Sequence, residues 1–290
     1  MTVGLSNTQF LPTWLQPRLP FFYGWVVLGC VCCAGFARQG PAVATLSIFV
    51  EPMTGQFGWS RTALSAAVSL GGILAAIASP LLGPILDQRG ARVMLCVAVV
   101  VTGVCALLLS MTQSLTVFIL LFCIARMSFA SPFELGIYGA VNNWFVQKRG
   151  IATSIATFMQ MMGLMAMPLI AQLAINAHGW RSGWIAIGVT VLIVGFIPVW
   201  LLVVRRPEDI GIKPDGADEI SKQASKDTQS SLGEPAFSRP QALRTWTFWF
   251  LSTYTLLVYP VQAGVSLHQV PHLIERGIDP TIAATIIGVF

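Results

Sequence analysis

Charge is scarce in this chain: Asp, Glu, Lys and Arg make up 10% of its 290 residues, against about 25% in a typical soluble domain. A water-facing surface on a chain of this length needs far more, so a soluble globular protein is excluded. Acidic residues are scarcest where catalysis would need them, because Glu134 is the one carboxylate well inside an apolar run. A membrane-embedded enzyme would need paired acids with histidine on adjacent helices. The N-terminus has no charged region leading to a cleavage site, so no signal peptide is expected. Cys30, Cys32, Cys33, Cys96, Cys105 and Cys123 all lie in apolar runs, none as a ligand pair in a polar loop, and read as small packing residues. His268, His272 and Glu275 have ligand-like spacing, but Pro271 interrupts them and a surface loop is expected. No cofactor or metal is expected.

What is abundant is apolar sequence, at 55%, with a mean hydropathy of +0.72. Long apolar stretches cross a membrane as helices of roughly 20 residues each. The expectation is an all-α polytopic membrane protein. Expected spans cover 22–46, 61–86, 93–111, 115–141, 151–175, 184–204 and 248–267, with an eighth beginning near Pro280. Tyr23 and Trp25 anchor the first at the interface, and Ser60 caps the second. The short loops hold the basic residues unevenly. Twelve of the seventeen Lys and Arg fall on the N-terminal side of the bilayer and three on the other, which places the N-terminus in the cytosol. The net charge of +5 therefore reports topology rather than nucleic-acid binding. Oligomeric state is not indicated.

The polar 205–246 stretch reads as a cytosolic linker. It divides a cytosolic N-terminus (1–21) and a six-helix half (22–204) from the start of a second half (247–290), which holds span seven and a span eight cut short. A modest internal repeat supports two halves. Phe57-Gly-Trp-Ser-Arg-Thr-Ala63 after the first span is echoed by Arg276-Gly-Ile-Asp-Pro-Thr-Ile-Ala283 after the seventh.

The loop Gly83-Pro-Ile-Leu-Asp-Gln-Arg-Gly-Ala-Arg92 resembles the signature loop of the major facilitator superfamily. Gly83, Asp87, Gly90 and Arg92 match, Arg89 lies within it, and Gln88 and Ala91 replace residues that are usually basic. Arg126 matches the family's arginine-centred motif without its following glycines. The glycine–proline motif of antiporters is absent from span five, which argues against a drug-efflux antiporter. Asn143-Trp-Phe-Val-Gln-Lys-Arg-Gly-Ile-Ala152, Arg206-Pro-Glu-Asp-Ile-Gly-Ile-Lys-Pro-Asp-Gly216 and Phe57-Gly-Trp-Ser-Arg61 resemble the monocarboxylate-transporter branch and its oxalate/formate-type relatives. The resemblance implies a twelve-span transporter of the inner membrane, here C-terminally truncated and inactive alone. It would move a small mono- or dicarboxylate by alternating access, coupled to protons or a counter-anion, with the 83–92 loop as a cytosolic gate. Alternatives are a transporter of another small solute or drug, and a non-transporting membrane protein or embedded enzyme.

Three charges inside spans carry the site expectation. Arg126 is about 16 Å deep and Arg38 about 24 Å along its span, at 1.5 Å per residue. Two guanidiniums facing one cavity suit a carboxylate; each has a structural alternative, a tie to carbonyls or to Glu134 for Arg126 and snorkelling for Arg38. Glu134 is a candidate proton site, expected near the cytosolic surface, where a structural pair is the alternative. Gln160, Tyr254 and Gln262 are further candidate cavity residues. Ser65, Ser69, Gly72, Ala76, Ser79 and Gly83 form a small-residue face on span two, read as helix packing.

Overall fold

The computed structural model describes residues 10–216, 241 and 243–289, and these are almost wholly helical. The expected linker falls mostly on 217–240, outside the described residues, as does the N-terminal tip. A short surface helix α1 (Phe10–Leu15) precedes α2 (Gly24–Arg38) and α3 (Val43–Phe57). Then come α4 (Arg61–Leu109), α5 (Leu115–Ala130), α6 (Pro132–Trp144), α7 (Arg149–His178), α8 (Trp180–Thr190) and α9 (Ile197–Leu202). A π-turn over Val191–Phe196 joins the last two. Two more helices, α10 (Trp246–Glu275) and α11 (Pro280–Val289), stand where the seventh and eighth spans were expected. Among the described residues, five stretches are long and apolar enough to cross a membrane: Gly24–Phe57, Arg61–Leu109, Leu115–Trp144, Arg149–His178 and Trp180–Leu202.

The 49-residue α4 is two spans in one. At 1.5 Å per residue a straight helix of that length would be about 74 Å, more than twice the hydrocarbon thickness. It breaks at Gly90, whose φ of 81° and ψ of 167° lie where essentially only glycine is found. Ser60 caps α4 as expected, its hydroxyl accepting from the Ala63 N–H at 3.1 Å.

Three expectations are corrected. The first span does not stop at residue 46: after a break over 39–42 it resumes as α3 and runs to Phe57, with Glu51 and Pro52 inside the helix. Proline is tolerated there because neighbouring helices compensate for the missing bond in a membrane bundle. For the same reason Pro271 lies within α10, so His268 and His272 are helical rather than on a loop. On span two the packed face is Leu64, Ala67, Gly71 and Ala75, and Ser69, Gly72 and Ala76 are exposed. Two small-residue stripes lie one position apart in register, and only the packing distinguishes them.

Aromatic clusters tie both ends of the bundle. At the Gly58 end Phe49 stacks on Trp184 at 4.1 Å between centroids, and Phe57 on Trp59 at 4.5 Å. At the Gly90 end Phe22, Tyr23, Trp25, Trp144 and Phe145 interlock. The Tyr23 hydroxyl donates to the Leu202 carbonyl at 2.9 Å, and the Trp144 indole N–H to the Val204 carbonyl at 3.2 Å. α10 and α11 rest on this block at the Gly58 end through α3 and α7. Arg61 pairs there with Glu275 at 2.8 Å, and the Asn176 amide donates to the Thr281 hydroxyl at 3.3 Å. Toward the Gly90 end α10 stands away, with Trp246, Phe250 and Tyr254 exposed. The face of the six-span block toward α10, here termed the cleft, carries Arg38 and Glu134.

Candidate functional site

The cleft is built around a helix break. Ser131 precedes Pro132, and a residue before proline is disfavoured in the helical region. Its φ of −129° and ψ of −78° separate α5 from α6. The break leaves the Phe129 carbonyl without its intrahelical donor. Arg38, on the last turn of α2, donates to that carbonyl through Nε at 2.9 Å. Its Nη1 donates to the Gln160 amide oxygen, and Nη2 forms an ion pair with Glu134. Glu134 sits in the first turn of α6, where the helix dipole favours a carboxylate. Gln160, buried on α7, in turn donates to the Tyr138 hydroxyl at 3.4 Å, and that hydroxyl lies 3.3 Å from the Thr157 hydroxyl.

Phe129 joins the two arginines. The guanidinium carbon of Arg38 lies 4.1 Å from its ring centroid and that of Arg126 lies 4.2 Å away. The two charges are therefore no more than about 8 Å apart, the sum of those distances. Such contacts with a ring face are favourable for a cation. Arg126 does not pair with Glu134. Its Nε is buried and has no hydrogen-bond partner among the described residues, a state that normally costs about 1–3 kcal/mol. Gly71 lets α4 approach closely enough to fix its stem: a Cβ there would sit 2.6 Å from Arg126 Cβ.

The structure thus brings Arg38, Arg126, Gln160 and Glu134 together. Glu134 is not close to a bundle end as expected; it lies ten residues before the end of α6, about 15 Å along the helix. Tyr254 and Gln262 are exposed on α10 and make no hydrogen bond to this cluster among the described residues. Another α10 residue, Tyr259, is close enough to interact electrostatically with Arg38. Sequence reasoning missed Tyr259, Phe129 and Tyr138. Tyr138 was within reach of it, because it follows Glu134 by one helical turn.

At the Gly90 end, the loop is held to the sixth span. Arg92 donates to the Trp200 carbonyl and lies 5.1 Å from the centre of its ring. Arg205 donates to the Asp87 carbonyl at 2.6 Å, its stem packed on Gly90. The carboxylate of Asp87 is exposed.

Comparison with known proteins follows the same lines. The chain is 26% identical over 214 residues to the Membrane sensor protein UhpC of Salmonella typhimurium, covering 72% of this chain and 48% of that relative. It is 24% identical over 217 residues to the protein of the same name from Escherichia coli, covering 72% and 48%. It is 22% identical over 216 residues to a Probable hexose phosphate transport protein of Chlamydia muridarum, covering 70% and 47%. The chain spans about half the length of the curated relatives it matches. The sequence model described as Major Facilitator Superfamily matches residues 27–290, and the chain belongs to that family.

Proposed function

We propose that this chain forms the anion-binding wall of a secondary transporter in the cell (inner) membrane, with the Gly90 end in the cytosol. The substrate is a small organic anion, either the carboxylate suggested by the 143–152 and 206–216 motifs or a phosphate monoester. The second class enters through the name of the Chlamydia muridarum relative, a Probable hexose phosphate transport protein. One observation carries the reading: two guanidiniums share the Phe129 ring, and the inner one, Arg126, keeps a buried donor without a partner. An anion between them satisfies that donor. Arg presents a planar fork to a carboxylate or phosphate, and charge-assisted bonds are about twice as strong as neutral ones.

Glu134 gives the site a coupling device. An incoming dianion competes with it for Arg38 Nη2, and a displaced carboxylate becomes available to a proton. Two rocking blocks are the known layout for alternating access.

The test is calorimetric titration of the chain in nanodiscs with lactate, oxalate and glucose 6-phosphate, with glucose as the uncharged control. At least one anion binds, and Arg126→Gln weakens it about 10–100-fold, as expected for losing a hydrogen bond to a charged group worth about 1.5–3 kcal/mol. Unchanged affinity in that variant refutes the site. A sensor that binds without transporting is the second reading, favoured by the name of two relatives, Membrane sensor protein UhpC. Anion uptake in proteoliposomes would remove it.

A further inference from the structure

After α9 the chain turns back across the Gly90 end of the bundle. The Asp215 carboxylate accepts from the Val146 N–H and from the Lys148 N–H, the latter at 2.7 Å. Its own N–H donates to the Trp144 carbonyl at 3.3 Å, and Phe145 and Asp215 form an isolated parallel bridge. One aspartate thus fastens the segment after the sixth span to the loop between the fourth and fifth. The two motifs involved, 143–152 and 206–216, are far apart in sequence, and anion binding in the cleft uses neither.

This clasp bounds a cavity of about 470 Å³. Phe22, Trp25 and Phe145 form an aromatic side of it, with centroids 5.2–5.8 Å apart in edge-to-face contacts; Ile212 adds to the apolar lining, and Lys148 and Lys213 are its lysines. We propose that the groove binds the phosphate headgroup of an anionic phospholipid.

Three observations lead there. The groove lies where α2 begins and α6 ends, the level at which those spans leave hydrocarbon, and tryptophan favours that level. Its charge is complementary to a phosphate. Both lysines are exposed. The neighbouring carboxylate, Asp215, is already committed to two backbone N–H groups. Finally, the part-exposed Phe22 and Trp25, backed by the buried Phe145, offer a surface to the glycerol and first methylenes of a lipid, which a free phosphate would leave uncovered. A basic residue at a membrane surface is worth about 1 kcal/mol toward anionic lipid, so the net single positive charge of Lys148, Lys213 and Asp215 favours it by roughly fivefold.

The experiment is native mass spectrometry of the full chain released from membranes of equal phosphatidylglycerol and phosphatidylcholine. The chain retains phosphatidylglycerol preferentially, and Lys148→Gln with Lys213→Gln lowers that retention at least fivefold. Arg276→Gln, at the opposite end of the bundle, leaves it unchanged. Should the double variant not fold, Lys213→Gln alone lowers retention at least twofold. Equal retention of the two lipids, or unchanged retention in the lysine variants, overturns the proposal. So does displacement of the lipid by millimolar glycerol phosphate, which would assign the groove to a soluble phosphate.

Discussion

Adjacent glycines on span two have opposite surroundings, which makes them a test of how Arg126 is held. A Cβ added at Gly71 would lie 2.6 Å from Arg126 Cβ, 2.8 Å from its Cγ and 3.3 Å from the Cys123 carbonyl oxygen. Those are near-backbone atoms, so no flexible side-chain end can swing aside. Ordinary van der Waals contact is about 3.5–4 Å. The two helices would have to part by about 1 Å, and forced overpacking costs about 1–3 kcal/mol. The helix-forming advantage of alanine, at most about 1 kcal/mol, returns part of this. A Cβ at Gly72 meets nothing within 4 Å and gains that advantage free. The propensity gain is common to both variants and cancels, so Gly71→Ala should be about 1–3 kcal/mol less stable than Gly72→Ala in reversible unfolding in detergent micelles. Its anion affinity should fall as well, because the stem of Arg126 is displaced. Equal stability of the two variants would show that the α4–α5 contact is not as close as described, and would remove the support for Arg126.

Three more outcomes follow from the same geometry. Gly90→Ala should cost about 1–3 kcal/mol and make the loop more sensitive to protease, because its backbone conformation excludes a side chain and its position is packed on Arg205. Adding Arg205→Ala should relieve the crowding but not the backbone strain. The Arg61–Glu275 pair has side chains 46% and 54% exposed, so a double-mutant cycle should return a coupling of only about 0.2–1 kcal/mol, shrinking in high salt. Glu134→Gln should cost about 1 kcal/mol, well below the 3–5 of a fully buried pair, because Glu134 is 41% exposed although Arg38 is only 12%. It should also raise the affinity for a dianion, since the competitor for Arg38 is gone; calorimetric titration reads both variant and parent.

The all-helical membrane fold was legible from charge and hydropathy, and the Gly83–Arg92 loop placed the turn between spans two and three. Arg38 and Arg126 stood out because a charge in hydrocarbon has to face a cavity or a partner. Their company did not. Counting residues along a helix assumes that the helix is continuous, and α5 breaks at Ser131; Glu134 was therefore set near the surface and against its own helix-mate Arg126. In the fold it reaches across to Arg38 on α2. The exposed carbonyl of Phe129 and its ring arise from that same break, so no spacing in the sequence could reveal them. Tyr254 and Gln262 were chosen for polarity alone. The residue of α10 that approaches Arg38 is Tyr259, and which α10 residues face the cleft depends on how that helix rests against α3.

The charges brought together by that break bear on which anion the proposed site prefers. Arg38 and Glu134 neutralise one another, leaving Arg126 as one net positive charge beside the Phe129 ring. A monocarboxylate balances this without disturbing the ion pair. A phosphate monoester carries close to two negative charges near neutral pH, so it leaves an excess unless Glu134 gives up its own charge. Binding of the dianion should then take up about one proton per site and that of the monocarboxylate none. Calorimetry in buffers of different ionisation enthalpy measures this directly, and Glu134→Gln should abolish the difference. If both anions bind with the same proton count in the parent chain, Glu134 is a fixed structural partner of Arg38, and coupling through it is ruled out.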